Sequence, residues 1–278
     1  MKIWSGNRNR KYPKAIACFL LEHDFEKPQH VVVDLGHVYC FLKACPGENK
    51  PSEDAGLVYQ TDELIVLAVA DGVGGSPRGR DAALASVRIL AKALEQGHSE
   101  ERDTRLIIIE TFEKANQEIL SWGVGAGSTL MVVLIEHGRI QSFHVGDSAC
   151  LLVGQRGLVK YRSVDHSVVG YGQEAELLSD EEGMQHQDRH ILLNCLGTKE
   201  MRIDIGPLKK LKSKDRLILG SDGLFDNLTQ EELVGFIRKG SVQDNANQLQ
   251  NKLFERMNTP EEGAPSKPDD VVFLMYGL

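Results

Sequence analysis

Gly220-Ser221-Asp222-Gly223-Leu224-Phe225-Asp226 is the stretch on which the reading of this chain turns. It follows Asp215-Arg216-Leu217-Ile218-Leu219, an apolar run with the length of a buried strand. Such a strand delivers Asp222 to its C-terminal end, and Gly223 lets the backbone turn there. A carboxylate in that place is costly unless something positive meets it. Alone, an Asp-Gly pair after a strand reads as a turn. The form recurs, however. Asp71-Gly72-Val73-Gly74-Gly75 follows the apolar run 64–70, and Val145-Gly146-Asp147-Ser148 follows the strand-like run 140–144. Asp269-Asp270 stands directly before Val271-Val272-Phe273-Leu274-Met275. Four apolar strands thus each carry an Asp at one tip. Carboxylates gathered this way suit hard divalent cations, which take oxygen ligands. No Cys/His set with zinc spacing competes.

The length of 278 residues allows one large domain or two small ones, and 41% hydrophobic residues can bury a sizeable core. A net charge of -8 and a pI near 5.6 exclude a sequence-independent nucleic-acid binder, which needs a basic face. The nearest basic run, Lys209-Lys210-Leu211-Lys212-Ser213-Lys214, reads as a solvated loop before a strand. Five cysteines without paired spacing fit buried thiols in a reducing, cytoplasmic setting. No run approaches the roughly 18 apolar residues of a membrane span. Arg8, Arg10, Lys11 and Lys14 before the apolar run 15–21 mimic a signal peptide, but Glu22-His23-Asp24 follows in place of a small-residue cleavage site, so the run reads as a strand.

Along the chain, 31–33 and 38–42 read as strands with Gly36 between them. After Gly75 the spacing of Leu84, Val87, Leu90, Ala91 and Leu94 predicts a helix, capped by Gly97. A second helix is predicted with Leu106, Ile109, Phe112, Ala115 and Ile119 on one face, broken by Gly123, Gly125 and Gly127. No Gly-Lys-Ser/Thr follows these glycines, which argues against a P-loop. Residues 128–162 read as an antiparallel meander, with His137-Gly138 as a tight turn. His144 reads as a core histidine. Ser179 and Glu182 form a capping-box pattern, and Thr229-Gln230-Glu231-Glu232 opens a short helix. Ala246, Leu249, Leu253 and Met257 mark a longer one. The order of strands and helix pairs fits α+β, with helices outside and sheets inside. No repeat and no long linker divides the chain, so 1–278 is expected to be a single domain.

Taken together, Glu53-Asp54-Ala55, Asp71-Gly72-Val73-Gly74-Gly75, Gly127-Ser128-Thr129-Leu130, Val145-Gly146-Asp147-Ser148, Asp165-His166, Leu196-Gly197, Ser221 to Asp226 and Asp269-Asp270 stand in one order. In that order they resemble the metal-dependent serine/threonine protein phosphatases, the PPM or type 2C family, in its bacterial form. The resemblance runs from about residue 47 to the C-terminus; residues 1–46 match weakly. It implies a four-layer α-β-β-α sandwich with two central antiparallel sheets. It implies two Mg²⁺ or Mn²⁺ ions, with a third, weaker one at Asp147. Asp71 would bridge the ions and the Gly72 carbonyl would ligate one; Asp222 and Asp269 would complete the site. Glu53 and Asp54 would hold metal-bound water. Of Asp269 and Asp270, the first matches the family's ligand. A water bridging two ions about 4 Å apart would attack phosphorus in line.

Two departures stand out. The family's phosphate-gripping Arg is replaced by Asn49, which leaves Lys50, Arg78 or Lys43 as substitutes, and a Lys cannot give a bidentate grip. Val73 occupies the place of a His found in many members. The segment ending in His190 to Gly197 is similar to the bacterial flap, beside the site; a structural role is expected for His166. The expected substrates are phosphoserine and phosphothreonine proteins, opposing a Ser/Thr kinase, with no nucleic-acid or membrane partner. A phosphoprotein-binding pseudophosphatase and a two-metal small-molecule phosphatase are the rival readings.

Overall fold

The computed structural model describes residues 17–184, 186–189, 191–260 and 264–278. Its N-terminal part comprises β1 (Ala17–Leu21), β2 (Gln29–Val33), β3 (Gly36–Lys43), β4 (Ala55–Gln60), β5 (Leu64–Ala70), α1 (Gly79–Ser99) and α2 (Thr104–Ser121). The middle holds β6 (Leu130–Glu136), β7 (Arg139–Val145), β8 (Ala149–Val153), β9 (Val159–Arg162), α3 (Val168–Glu174) and α4 (Asp180–Met184). Then follow β10 (Asp204–Ile205), β11 (Lys209–Lys210), β12 (Arg216–Gly220), α5 (Asp222–Phe225), α6 (Gln230–Ile237), α7 (Val242–Asn258) and β13 (Val271–Gly277).

Among the described residues these strands form two antiparallel sheets. One runs β1-β4-β5-β6-β7-β10, with β11 also paired to β7; the other runs β2-β3-β13-β12-β8-β9. The central strands are apolar at every position because both of their faces are covered. In β5, Ile65, Leu67 and Val69 face the second sheet, while Val66, Ala68 and Ala70 face α1 and α2. In β13, Val272, Leu274 and Tyr276 join the inter-sheet core, and Val271, Phe273 and Met275 pack under α5 to α7. Period-2 alternation on two sheets thus builds the four layers helix, sheet, sheet, helix, as the sequence resemblance implied.

Several local readings hold. His137 and Gly138 both have positive φ, 50° and 66°, as a two-residue hairpin turn requires. Thr229 and Glu232 form a reciprocal capping box at α6. Ser179 and Glu182 exchange the matching pair of hydrogen bonds at 3.2 and 2.8 Å. Ala246, Leu249, Leu253 and Met257 are buried on one face of α7. The run 17–21 is strand β1, in register with β4; Ala15, Ile16 and the basic residues before them lie outside the described residues.

Other readings are corrected. Residues 128–162 are two hairpins in different sheets, β6-β7 in one and β8-β9 in the other, because the chain changes sheet at Gly146-Asp147-Ser148. Gly97 does not cap α1 but lies inside it. A Cβ there would meet Ile107 Cδ1 at 2.1 Å, so the glycine serves the close approach of α2. On α2 the buried face uses Ile107 and Ile108; Leu106 is 56% exposed. Three consecutive isoleucines blur the helical period there. Lys209 and Lys210 form a short edge strand, not a loop.

Candidate functional site

The acidic strand tips converge at one end of the two sheets. Asp71 follows β5, Asp147 sits in the turn between β7 and β8, Asp222 opens α5 after β12, and Asp269 precedes β13. One pocket is lined by Asp71, Gly72, Asp147, Asp222, Lys267 and Asp269, with Lys50, Glu53 and Asp270 at its side. The antiparallel topology explains this. Each sheet contributes two of the tips, and the sheets stack with those ends together.

Backbone contacts set each carboxylate in place. The Asp71 peptide is held by Thr129, whose Oγ1 accepts from its N–H at 2.9 Å, and by Ser128 Oγ, which donates to its carbonyl at 2.9 Å. That is the structural work of Gly127-Ser128-Thr129. Gly223 turns directly against the Asp270 carbonyl; a Cβ at that position would lie 1.9 Å from the oxygen. Ser221 Oγ donates to Asp54 Oδ2 at 2.8 Å and accepts from the Val272 N–H at 3.1 Å. Asp269 and Asp270 use their oxygens differently. Asp270 accepts from the Cys45 N–H at 2.7 Å and the Glu53 N–H at 2.6 Å, so its two oxygens are taken up by backbone. Asp269 Oδ2 is left facing Lys267 at 3.1 Å.

The electrostatics ask for a cation. Asp54 is 2% exposed, and its Oδ1 finds no hydrogen-bond partner among the described residues. Burial, and then the charges of Asp270, Asp222 and Asp269, hold its carboxyl well above the usual range against the Ser221 hydrogen bond. Burial and the charges of Asp54, Asp222, Asp147 and Asp269 do the same to Asp71. Asp147 is raised by burial and by Asp222, Asp165 and Asp226. Asp269 is raised to about 6 by burial and Asp222. Carboxyls that disfavour one another's charge are stabilised by a multivalent ion at their centre. The chain supplies a stand-in: Lys267 Nζ pairs with Asp222, and with Asp226 at 3.0 Å. An orphaned buried oxygen, mutually raised acids and an all-oxygen donor set together fit divalent metal ions. Asp71, the Gly72 carbonyl, Asp147, Asp222 and Asp269 could hold such ions, with Asp54 buried beside them; Glu53 is half-buried at the rim, 3.9 Å from Lys50.

The substitutes for the missing arginine separate. Lys50 lines the pocket. Lys43 pairs with Glu26 at 2.6 Å. Arg78 is corrected: it pairs with Asp81 at 2.9 Å, lies 4.2 Å over the Trp122 ring and does not line the pocket. Lys267 escaped the sequence reading altogether. It sits in a Pro-rich connector, and its sole signal is a position two residues before Asp269.

A second titratable cluster lies nearby. One ligand atom each from His144, His166 and Asp204 lie within 4.8 Å of one another. By distance they suit a metal, but their protons are assigned otherwise. His166 Nδ1 accepts from the Gly146 N–H at 3.1 Å and from Asn194 Nδ2 at 2.7 Å, so Nε2 carries the hydrogen; it lies 3.2 Å from Asp204 Oδ2 without the alignment of a hydrogen bond. His144 Nε2 donates to the Val164 carbonyl at 2.8 Å. Both imidazoles are buried and their rings stack at 4.6 Å. These bonds tie both imidazoles to the backbone beside the turn at Asp147, while His144 Nδ1 finds no partner among the described residues; His190 lies outside the described residues. Burial raises all five thiols, those of Cys40 and Cys150 to about 12, and that of Cys45 in the pocket wall as well, so none is poised as a thiolate.

The comparisons agree with this geometry. The protein phosphatase 2C family model matches residues 43–258. The serine/threonine phosphatase stp of Listeria innocua is 29% identical over 194 residues, covering 66% of this chain and 75% of the relative. The crystal structure of the serine/threonine phosphatase Stp1 from Staphylococcus aureus superposes with a TM-score of 0.73 at 21% identity, covering 89% of this chain and 96% of that one. The catalytic domain of the phosphatase PstP, solved in complex with two manganese ions, does so with a TM-score of 0.66 at 22% identity, covering 86% and 96%. No described helix is long and apolar enough to cross a membrane. This chain belongs to the protein phosphatase 2C family and is a phosphoprotein phosphatase.

Proposed function

We propose that the chain is a metal-dependent protein serine/threonine phosphatase, acting as one catalytic domain on phosphoserine and phosphothreonine in proteins phosphorylated by a Ser/Thr kinase. The observation that carries this is the convergence of Asp71, Asp147, Asp222 and Asp269 on one pocket, with Asp54 buried beside them and all their charges opposing one another. Divalent ions, Mg²⁺ or Mn²⁺, would supply the positive charge that neutralises phosphoryl oxygens and activates water for in-line attack. The residue class of the substrate is supported by the naming of the Listeria relative as a serine/threonine phosphatase.

The chain's own residues do the rest. Asp71, Asp222 and Asp269 would hold the ions, with the Gly72 carbonyl beside Asp71. Asp54 orients water through its unpartnered Oδ1, while Ser221 fixes its other oxygen. Asp147 approaches from the opposite strand tip as a ligand for a third ion. Lys50 at the rim meets the incoming phosphate. Val73 lines the pocket where many members of the family carry a His, so the proton for the leaving alkoxide would come from another group, such as a metal-bound water.

The test is hydrolysis of p-nitrophenyl phosphate with Mn²⁺, with EDTA, and by Asp222→Asn. Mn²⁺-dependent turnover lost in the variant is the expected result. A folded, metal-loaded wild type without turnover would leave the phosphoprotein-binding reading standing. Preference for bis-p-nitrophenyl phosphate over a phosphopeptide would favour the small-molecule reading.

A further inference from the structure

Two lysines line the acid pocket, and they are held differently. Lys50 is half exposed and pairs with Glu48 at 3.1 Å. Lys267 is drawn into the carboxylates. Its Nζ contacts Asp222 Oδ2, Asp226 Oδ2 at 3.0 Å and Asp269 Oδ2 at 3.1 Å. Two of these three carboxylates, those of Asp222 and Asp269, are also the ones that would hold a metal ion.

The lysine is built into this place. Asn227, fully buried, accepts from the Lys267 N–H at 2.7 Å and donates to its carbonyl at 2.7 Å. The same Asn227 Nδ2 donates to the Gly223 carbonyl at 2.9 Å. The loop that carries Lys267 is therefore clipped to the turn that carries Asp222 and Asp226, and Pro268 stiffens the chain on the other side. With its backbone fixed, Lys267 delivers its ammonium to the acids on a short side-chain tether, at a high effective concentration.

We propose that Lys267 is a tethered competitor for the metal, and so sets the metal affinity of the site. An ammonium and a divalent ion cannot share the oxygens of Asp222 and Asp269, because like charges at that separation repel strongly in a partly buried site. Without metal, Lys267 offsets the repulsion among the acids. When a divalent ion binds, the ammonium leaves Asp222 and Asp269 and keeps Asp226, which is not one of the proposed ligands. Metal affinity is then the intrinsic affinity of the carboxylates reduced by the work of displacing the lysine. This rests on the metal-binding reading of the pocket.

The experiment is calorimetric titration of Mn²⁺ into the metal-stripped full chain, for wild type, Lys267→Met and Lys267→Arg, with a thermal melt of each metal-free form. Lys267→Met is expected to bind Mn²⁺ at least about fivefold tighter than wild type. Its metal-free form should melt lower, and saturating Mn²⁺ should close the gap. Lys267→Arg, which keeps the charge, should stay near wild type. Should Lys267→Met not fold without metal, Lys267→Gln carries the same comparison. Equal or weaker Mn²⁺ binding by the uncharged variant overturns the competitor role, and if Mn²⁺-dependent turnover persists the metal-binding reading stands. Absence of Mn²⁺ binding in every form overturns both.

Discussion

Two clusters of buried titratable side chains lie within a few residues of each other along β7 and the turn after it. One is the acid pocket around Asp71, Asp147, Asp222 and Asp269; the other is the trio His144, His166 and Asp204. By ligand spacing alone the second makes the tidier metal site. Their charges separate them. In the histidine cluster the carbonyl of Val164, the N–H of Gly146 and the amide of Asn194 assign the protons, and burial holds both imidazoles neutral, although His144 Nδ1 and His166 Nε2, like Asp54 Oδ1, find no hydrogen-bond partner among the described residues. In the acid pocket burial with neighbouring negative charge raises three carboxyls well above their usual range. A metal site is marked less by close ligands than by charge that the protein itself leaves unbalanced.

The largest expected effect tests that contrast directly. Asp222→Asn should reduce Mn²⁺-dependent turnover of p-nitrophenyl phosphate by about 10²-fold or more, whereas His144→Gln should leave turnover within the same decade. Equal losses in steady-state assays would erase the distinction between the clusters. Metal removal comes next. Mn²⁺ at about a hundred times its dissociation constant should stabilise the folded chain by about 2.7 kcal/mol. Differential scanning calorimetry should show that gain in wild type and in His166→Ala, but not in Asp222→Asn.

His166→Ala should itself cost about 1–3 kcal/mol in urea denaturation, because it leaves the buried Gly146 N–H without its imidazole acceptor. A smaller effect concerns pH. Burial, with His166 as a lesser cause, pushes His144 down from its ordinary 6.5 to about 4. Between those values the unfolded chain binds the proton that the folded chain refuses. The stability that neutral His144 contributes is therefore present above about 6.5 and lost as pH falls towards 4. His144→Gln should flatten that part of the stability-versus-pH curve, and an unchanged slope would show that the imidazole is not held neutral.

Legibility followed the range of the interaction. Capping boxes at α4 and α6, the His137-Gly138 turn and the apolar strands were readable because each depends on neighbours a few residues away. Sheet membership was not: β6-β7 and β8-β9 look like one meander until the turn at Asp147 carries the chain across. Gly97 looks like a helix stop, and its true constraint is Ile107 on another helix. The ligand candidates were visible as Asp residues at strand tips. Ser221, which fixes Asp54, was visible only as part of a motif, without its role.

The sequence by itself determined the strand-tip acids, the layered pattern of apolar runs and the family resemblance, because these reside in residue type and local spacing. Tertiary structure alone decided which charges meet. It turned Arg78 away to Asp81 and Trp122, occupied both oxygens of Asp270 with backbone N–H groups, and carried Lys267 from a connector into the acid pocket. The physical reason is that electrostatic partners are chosen by distance in space and by burial, and neither can be read along the chain.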